Sequence, residues 1–311
     1  MALTSRIALV GPESEVEDLF ASSLGVIFPD DITNQHGDNS HGLSYTSPFL
    51  PKPLTIALNN PQGDHNRRLF SHYLWNASLL LAEYIERDSL PVAAEQHAQE
   101  QARAAPPAET ARLGVPAGHF DVRGQRTLEV GAGTALPSIM AALLGARHVT
   151  VTDYPAPELM ATLKDNVLRN SVPGSSAVPE ACAPADALEV FGHEWGVFPA
   201  DQEHLKHSFD RMFVADCLWM PWQHANLRAS IGYFLGTDAG ARAWVVGGFH
   251  TGREKMRDFF NADELRKEGL EVETIWERDC DGVERAWVLD RGSEDITERK
   301  RWLVVCVLKR V

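Results

Sequence analysis

The sequence predicts an α/β fold, a mostly parallel sheet covered by helices on both faces, and three observations carry that prediction. From Thr127 onward short apolar runs alternate with helical patterns, three of those helices open on a proline, and the chain closes on two strand-like runs joined by a charged connection. Alternation of this kind needs right-handed crossovers between parallel strands, which buries both faces of the sheet. Two successive strands with no helix between them predict an antiparallel closing pair.

Each segment has its own reason. Residues 1–50 read as an N-terminal extension: the apolar run Ile7 to Val10 is cut off by Gly11-Pro12, too short for a signal-peptide core, and one short helix is expected around Glu13 to Leu24. The stretch after it is rich in Pro, Asn, Asp, Gly and Ser and reads as extended loop. In residues 51–125, Leu54 to Leu58 suggest an edge strand, and Phe70, Leu74, Ala77, Leu81 and Tyr84 or Ile85 recur at helical spacing. Residues 88–124 then turn to Ala, Gln, Glu and Pro, an insertion whose composition supports a solvated helix and no core. The core proper, 126–311, runs TLEVG, helix from Pro137, HVTVTD, helix from Pro157, FDRMFVAD, helix from Pro221, ARAWVVGGF, LEVETIWERD and RWLVVCVLKR. Proline suits a first helical position because its missing N–H would have had no partner there.

The chain has 311 residues, with 29 Lys and Arg against 43 Asp and Glu, a net charge of −14. An acidic body repels a phosphate backbone, which argues against a general nucleic-acid binder and favours cationic or neutral substrates. Its 4 cysteines form no CxxC pair, so neither a zinc knuckle nor a disulfide framework is suggested, and no metal is expected. No run approaches the ~18 apolar residues of a spanning helix. A reduced, cytoplasmic protein is expected, with the nucleus left open.

The densest signal is LEVGAGTALPS, where a strand runs into Gly131-Ala132-Gly133 and a helix starts near Pro137. Glycines let backbone approach a ligand closely. A dinucleotide fingerprint would want a third glycine where Leu136 stands, and Glu129 would repel a pyrophosphate. The next strand ends at Asp153, where a carboxylate in a doubly wound sheet can accept from both ribose hydroxyls. Glycine turn, Glu129 and Asp153 together suit S-adenosyl-L-methionine, which is cationic and carries no phosphate. A tight connection with acids nearby is the plain structural alternative.

At these residues the sequence resembles the seven-stranded methyltransferases, and more narrowly the family that methylates lysines or N-termini of proteins such as translation elongation factors and chaperones. Leu128 to Pro155 is especially similar to its fungal branch, whose members carry elongation-factor or nicotinamide N-methyltransferase labels. The resemblance covers about Leu54 to Val311 and implies a Rossmann-like seven-stranded sheet with an antiparallel last strand. HYLWNASLLLAEYI resembles the family's N-terminal Trp motif, implying that Trp75 lies beside the cofactor; GHEWG implies that Trp195 covers the adenine. FDRMFVADCLWMPW matches the fourth strand and its exit, where the family has an acid followed by Tyr or Phe; here these are Asp216 and Trp219, with Ala215 beside the cofactor. The Trp departs from the pattern and bears on the substrate more than on the reaction.

The residues expected at a catalytic centre are therefore Asp216, Trp219 and His250, with Trp219, Tyr154 and Phe249 as an aromatic wall, and Tyr154 also at the cofactor. GGFHTGR sets His250 and Arg253 at the same end of the sheet. Each has a bland alternative: Trp75 as a core residue, Asp216 as a helix cap, His250 as a partner for buried backbone. The expected activity is S-adenosyl-L-methionine-dependent N-methylation of a protein lysine or N-terminus, possible translation factors included. A small-molecule methyltransferase and a cofactor-holding regulator without activity stay open, and no residue specifies a pyridine pocket.

Overall fold

The computed structural model describes residues 2–10, 34–37, 42–58, 73–91, 115–116 and 118–311. The helix expected around Glu13 to Leu24, Phe70 and most of the Ala- and Gln-rich stretch lie outside the described residues.

In chain order the strands are β1 (Ile7–Val10), β2 (Gln35–His36), β3 (Gly42–Tyr45), β4 (Leu54–Ile56), β5 (Leu74–Trp75), β6 (Arg126–Val130), β7 (His148–Asp153), β8 (Leu188–Gly192), β9 (Arg211–Ala215), β10 (Arg242–Gly248), β11 (Leu270–Asp279), β12 (Glu284–Ala286) and β13 (Trp302–Arg310). The α-helices are α1 (Asn76–Ser89), α2 (Leu136–Leu143), α3 (Pro157–Asn170), α4 (His224–Phe234), α5 (Arg253–Arg257), α6 (Ala262–Lys267) and α7 (Ile296–Lys300). The main sheet has the order β12-β11-β13-β10-β9-β6-β7-β8. β8, β7, β6, β9 and β10 are parallel, whereas β13 inserts antiparallel between β10 and β11, so the expected closing pair is present.

The apolar runs are continuous because both faces of the sheet are covered. Along β9, Phe213 and Ala215 join the core under α1 and α2, while Met212 and Val214 join the core under α4. β10 and β13 alternate in the same way, Trp244 and Val246 on one side, Val245 and Cys306 on the other. That alternation also sends Glu129, between Leu128 and Val130, toward α2.

Four expectations need correction. β8 is absent from the alternation read in the sequence, and all five of its residues are only half-buried, as an edge strand's are. The strand at Leu54 ends at Ile56 and lies at the edge of a separate three-stranded sheet, β1-β3-β4. The stretch read as loop before residue 50 contains β3, and Leu3, Leu43 and Tyr45 are buried in the core under α1. Arg6 ties this sheet to α1, donating to Glu86 at 3.0 Å and to Tyr45 at 3.2 Å. The end of the 88–124 segment is likewise core: Phe120 packs between Tyr84 and Trp244, with ring centroids 4.6 and 4.8 Å away. Among the described residues no helix is long and apolar enough to cross a membrane. All four cysteines are free.

Candidate active site

The sheet's strand order reverses at β6, which continues to β7 on one side and meets β9 on the other. Ligands of doubly wound sheets bind at the carboxyl ends of the strands at such a switch. A cavity of about 610 Å³ opens there. Its floor is the turn after β6, where Gly131 and Gly133 take φ values of 66° and 55°. Gly131 is required on two counts: the left-handed backbone, and a Cβ that would stand 2.7 Å from Cys217 Sγ and 2.9 Å from the Trp195 ring.

Asp153, at the end of β7, is 7% exposed and holds that turn in place. Its Oδ2 accepts from Gly133 N–H and its Oδ1 from Tyr154 N–H, both at 2.6 Å. Burial pushes its pKa up to about 6, against the two backbone donors, which favour the carboxylate. Asp216 follows β9 with φ 58°. Its Oδ1 accepts from Gly248 N–H at 3.0 Å, while Oδ2 is buried without a hydrogen-bond partner and lies 3.7 Å from His250 Nε2. Burial raises this carboxyl's pKa too, with the His250 charge opposing. His250 in turn stacks on Trp75, centroids 4.9 Å apart at 21°.

The GHEWG segment reaches the cavity because Ser230 of α4 anchors it. The Ser230 hydroxyl accepts from Gly196 N–H at 2.9 Å and pairs with His193 Nε2 at 2.9 Å. Burial lowers the His193 pKa to about 4, so this imidazole is neutral and structural. Burial raises Cys217 well above an ordinary thiol, so the sulfur facing the turn is no thiolate nucleophile.

Of the residues singled out in the sequence, Trp75, Gly131, Ala132, Gly133, Asp153, Tyr154, Trp195, Ala215, Asp216 and Trp219 all border the cavity. Glu129, His250 and Phe249 do not. Glu129 lies under α2, where Oε2 accepts from Ser138 N–H at 3.0 Å and satisfies a donor of the first helical turn, while Oε1 is buried without a hydrogen-bond partner. His250 stands behind Trp75 and Asp216. Phe249 is fully buried and stacks on Trp287, so the aromatic wall lacks it, and Arg253 is occupied by Glu277 and Glu294. Trp222, which the exit-loop cluster of Trp219, Trp222 and His224 brings to notice in the sequence, borders the cavity too, and Tyr73, Ser78, Thr134, Glu194 and Met220 border it without having been singled out. Trp222 carried a readable signal, a large aromatic in the strand's exit loop, and it is 71% exposed.

Burial raises the Glu129 pKa from its ordinary 4.5 to about 8. Between those values the folded chain keeps a proton that the unfolded chain releases, so stability falls as pH rises through that window. Thermal melts of the ligand-free protein should show Tm declining from about pH 5 to 8, and Glu129→Gln, which keeps an acceptor for Ser138, should flatten that decline. Parallel slopes for the two proteins would remove Glu129 as its source.

A family model described as lysine methyltransferase matches residues 62–264. The protein N-terminal and lysine N-methyltransferase EFM7 of Gibberella zeae is 28% identical over 243 residues, covering 74% of this chain and 75% of that one. Its Schizosaccharomyces pombe namesake is 26% identical over 220 residues, 69% of each chain. Among solved structures, Aeropyrum pernix fibrillarin, in complex with S-adenosyl-L-methionine, aligns with a TM-score of 0.36 at 18% identity, over 59% of this chain and 66% of that one. With most of its length matched by the family model, the chain belongs to the lysine methyltransferase family.

Proposed function

We propose that this chain transfers a methyl group from S-adenosyl-L-methionine to an amine of a protein, a lysine side chain or the N-terminus. The observation that carries this is a pair of buried carboxylates, Asp153 and Asp216, on one cavity floored by a glycine turn. The residues fit the cofactor: a Cβ at Gly131 would fill the cradle, and no third glycine or cation prepares the turn for a pyrophosphate. Asp153 would hold the ribose hydroxyls, the turn from Gly131 to Gly133 the amino-acid end, Trp195 the adenine, with Trp75, Tyr154 and Ala215 closing around them. When bound, this cofactor supplies a methyl group activated by a sulfonium.

The chain's own residues must deliver a neutral amine, since a lysine with pKa near about 10.4 arrives protonated. Asp216 Oδ2, buried and without a hydrogen-bond partner, can receive an ammonium, take its proton and hold the lone pair in line. His250 beside it and Gly248 N–H keep that carboxyl oriented. Trp219 and Trp75 exclude water, and alignment in a closed site can supply on the order of 7–11 kcal/mol. A cationic acceptor is also favoured by aromatic faces and by the chain's net charge of −14.

The relatives named as protein N-terminal and lysine N-methyltransferases support the same acceptor class. The sequence resemblance points further, to a translation factor methylated in the cytoplasm. The test is to incubate purified protein with methyl-labelled S-adenosyl-L-methionine and a cell extract, then separate proteins from small molecules. Label is expected in a protein band and lost with Asp216→Asn. Label confined to small molecules would overturn the proposal.

A further inference from the structure

A second cavity, of about 440 Å³, lies behind the turn that follows β10. The two cavities share one short stretch of chain: His250 stacks on Trp75 at the wall of the first, and its neighbour Thr251 lines the second. Cations dominate the second cavity, but they are of two kinds. Arg253 and Arg291 are already occupied, Arg253 by Glu277 at 2.6 Å and Glu294 at 3.1 Å, Arg291 by Glu277 at 3.3 Å. Lys255, Arg257 and Arg299 make no ion pair among the described residues, although all three line the cavity. Two polar atoms there are buried without a partner, Arg299 Nε and Thr251 Oγ1.

None of the described acids of the cavity is ion-paired to those three. Glu294 is held by Arg253 and Arg285, and Asp290 accepts from Gly292 N–H at 2.7 Å. Glu254 is exposed in the first turn of α5. What results is a concave surface lined by five cationic side chains against three acidic ones, with open donors, in a chain whose net charge is −14.

We propose that this cavity binds an acidic peptide segment, the carboxylates of the protein acceptor, through Arg257, Arg299 and Lys255 while the acceptor's amine enters the first cavity. The proposal rests on the acceptor being a protein. Guanidinium groups match carboxylates with paired, charge-assisted hydrogen bonds. The acidic body repels such a segment over most of its surface, so a cationic hollow whose lining adjoins His250 fixes which way round the acceptor lies. Recognition is then split: an amine is drawn to Asp216, a carboxylate to Arg257 and Arg299.

The probe is fluorescein-labelled hexaglutamate titrated into the full chain at low salt and read by anisotropy. Saturable binding is expected, weakened at least tenfold by Arg257→Gln with Arg299→Gln, and also weakened by Lys255→Gln. These side chains make no ion pairs, so unchanged Tm is expected and confirms intact folding. In the methylation assay the double variant should raise KM for the protein acceptor about tenfold, with kcat and cofactor affinity unchanged. No saturable peptide binding, equal binding by the variants, or calorimetric binding of inorganic phosphate without the peptide would each overturn the proposal. Peptide binding that behaves as expected in a chain that methylates no protein would instead overturn the proposed reaction and leave the cavity's ligand class standing.

Discussion

Replacing Asp216 with Asn should lower kcat by roughly 10²–10⁴-fold, the range for loss of a positioned acid or base, while cofactor affinity stays within a few-fold. Asn is the informative substitution for a structural reason. Asp216 has φ 58°, a left-handed backbone that Asn tolerates and that would strain Ala. Its amide oxygen can still accept from Gly248 N–H, now 3.0 Å from Oδ1, so the loop after β9 stays in register. What Asn lacks is the capacity to take a proton at the position of Oδ2, whose surroundings are buried. Because burial raises the wild-type pKa, activity should climb with pH as the carboxyl ionises. Raising the pH must not rescue the variant. Single-turnover methylation across pH, with cofactor affinity measured by calorimetry, checks both halves. Normal turnover with normal cofactor binding would remove Asp216 from the chemistry.

The parallel core is legible in the sequence because strands covered on both faces run mostly apolar, as MFVA and AWVVGGF do, and because TLEVG leads straight into the glycine turn. β8 is not read from the apolar pattern, because at the sheet's edge its five residues are only half-buried; the resemblance alone implies it, as the strand before GHEWG. Phe120 and Val122 escape because they follow a stretch whose composition is that of solvent-facing chain, yet both are fully buried. At the site, glycine spacing and the acids at strand ends find the cavity's floor and one wall. They do not reveal which side of a strand an acid takes. Glu129 and Asp153 look alike in sequence, but period-two alternation turns Glu129 under α2, whereas Asp153 ends its strand and faces the turn. His250 is likewise legible as a neighbour of the site but not as one step removed from it, because its stacking partner Trp75 comes from a distant segment. The cations of the second cavity give no sequence signal, since Arg257 and Arg299 meet only through the fold.

Asp153→Ala should weaken S-adenosyl-L-methionine binding by about 10²-fold or more. Hydrogen bonds to a charged group contribute about 1.5–3 kcal/mol each, and about 1.4 kcal/mol is tenfold in affinity, so losing two acceptors reaches that range. The same substitution releases the N–H groups of Gly133 and Tyr154, each 2.6 Å from a carboxylate oxygen, and lets the glycine turn relax. Asp153→Asn separates the two effects. It keeps one acceptor of matching shape but sets an amide N–H₂ against one of those backbone donors, so the turn is disturbed less than in Ala and the ligand loses its anionic partner in both. If the carboxylate acts mainly on the ligand, Asn and Ala should lose similar affinity while Ala lowers Tm further than Asn. If it acts mainly on the turn, affinity should track Tm across the pair. The pKa near 6 adds a further mark: cofactor affinity in the wild type should fall as pH drops through about 6, where the carboxylate is protonated, and the variants should show no such fall. Calorimetric affinities unchanged in Asp153→Ala would contradict a ribose role outright.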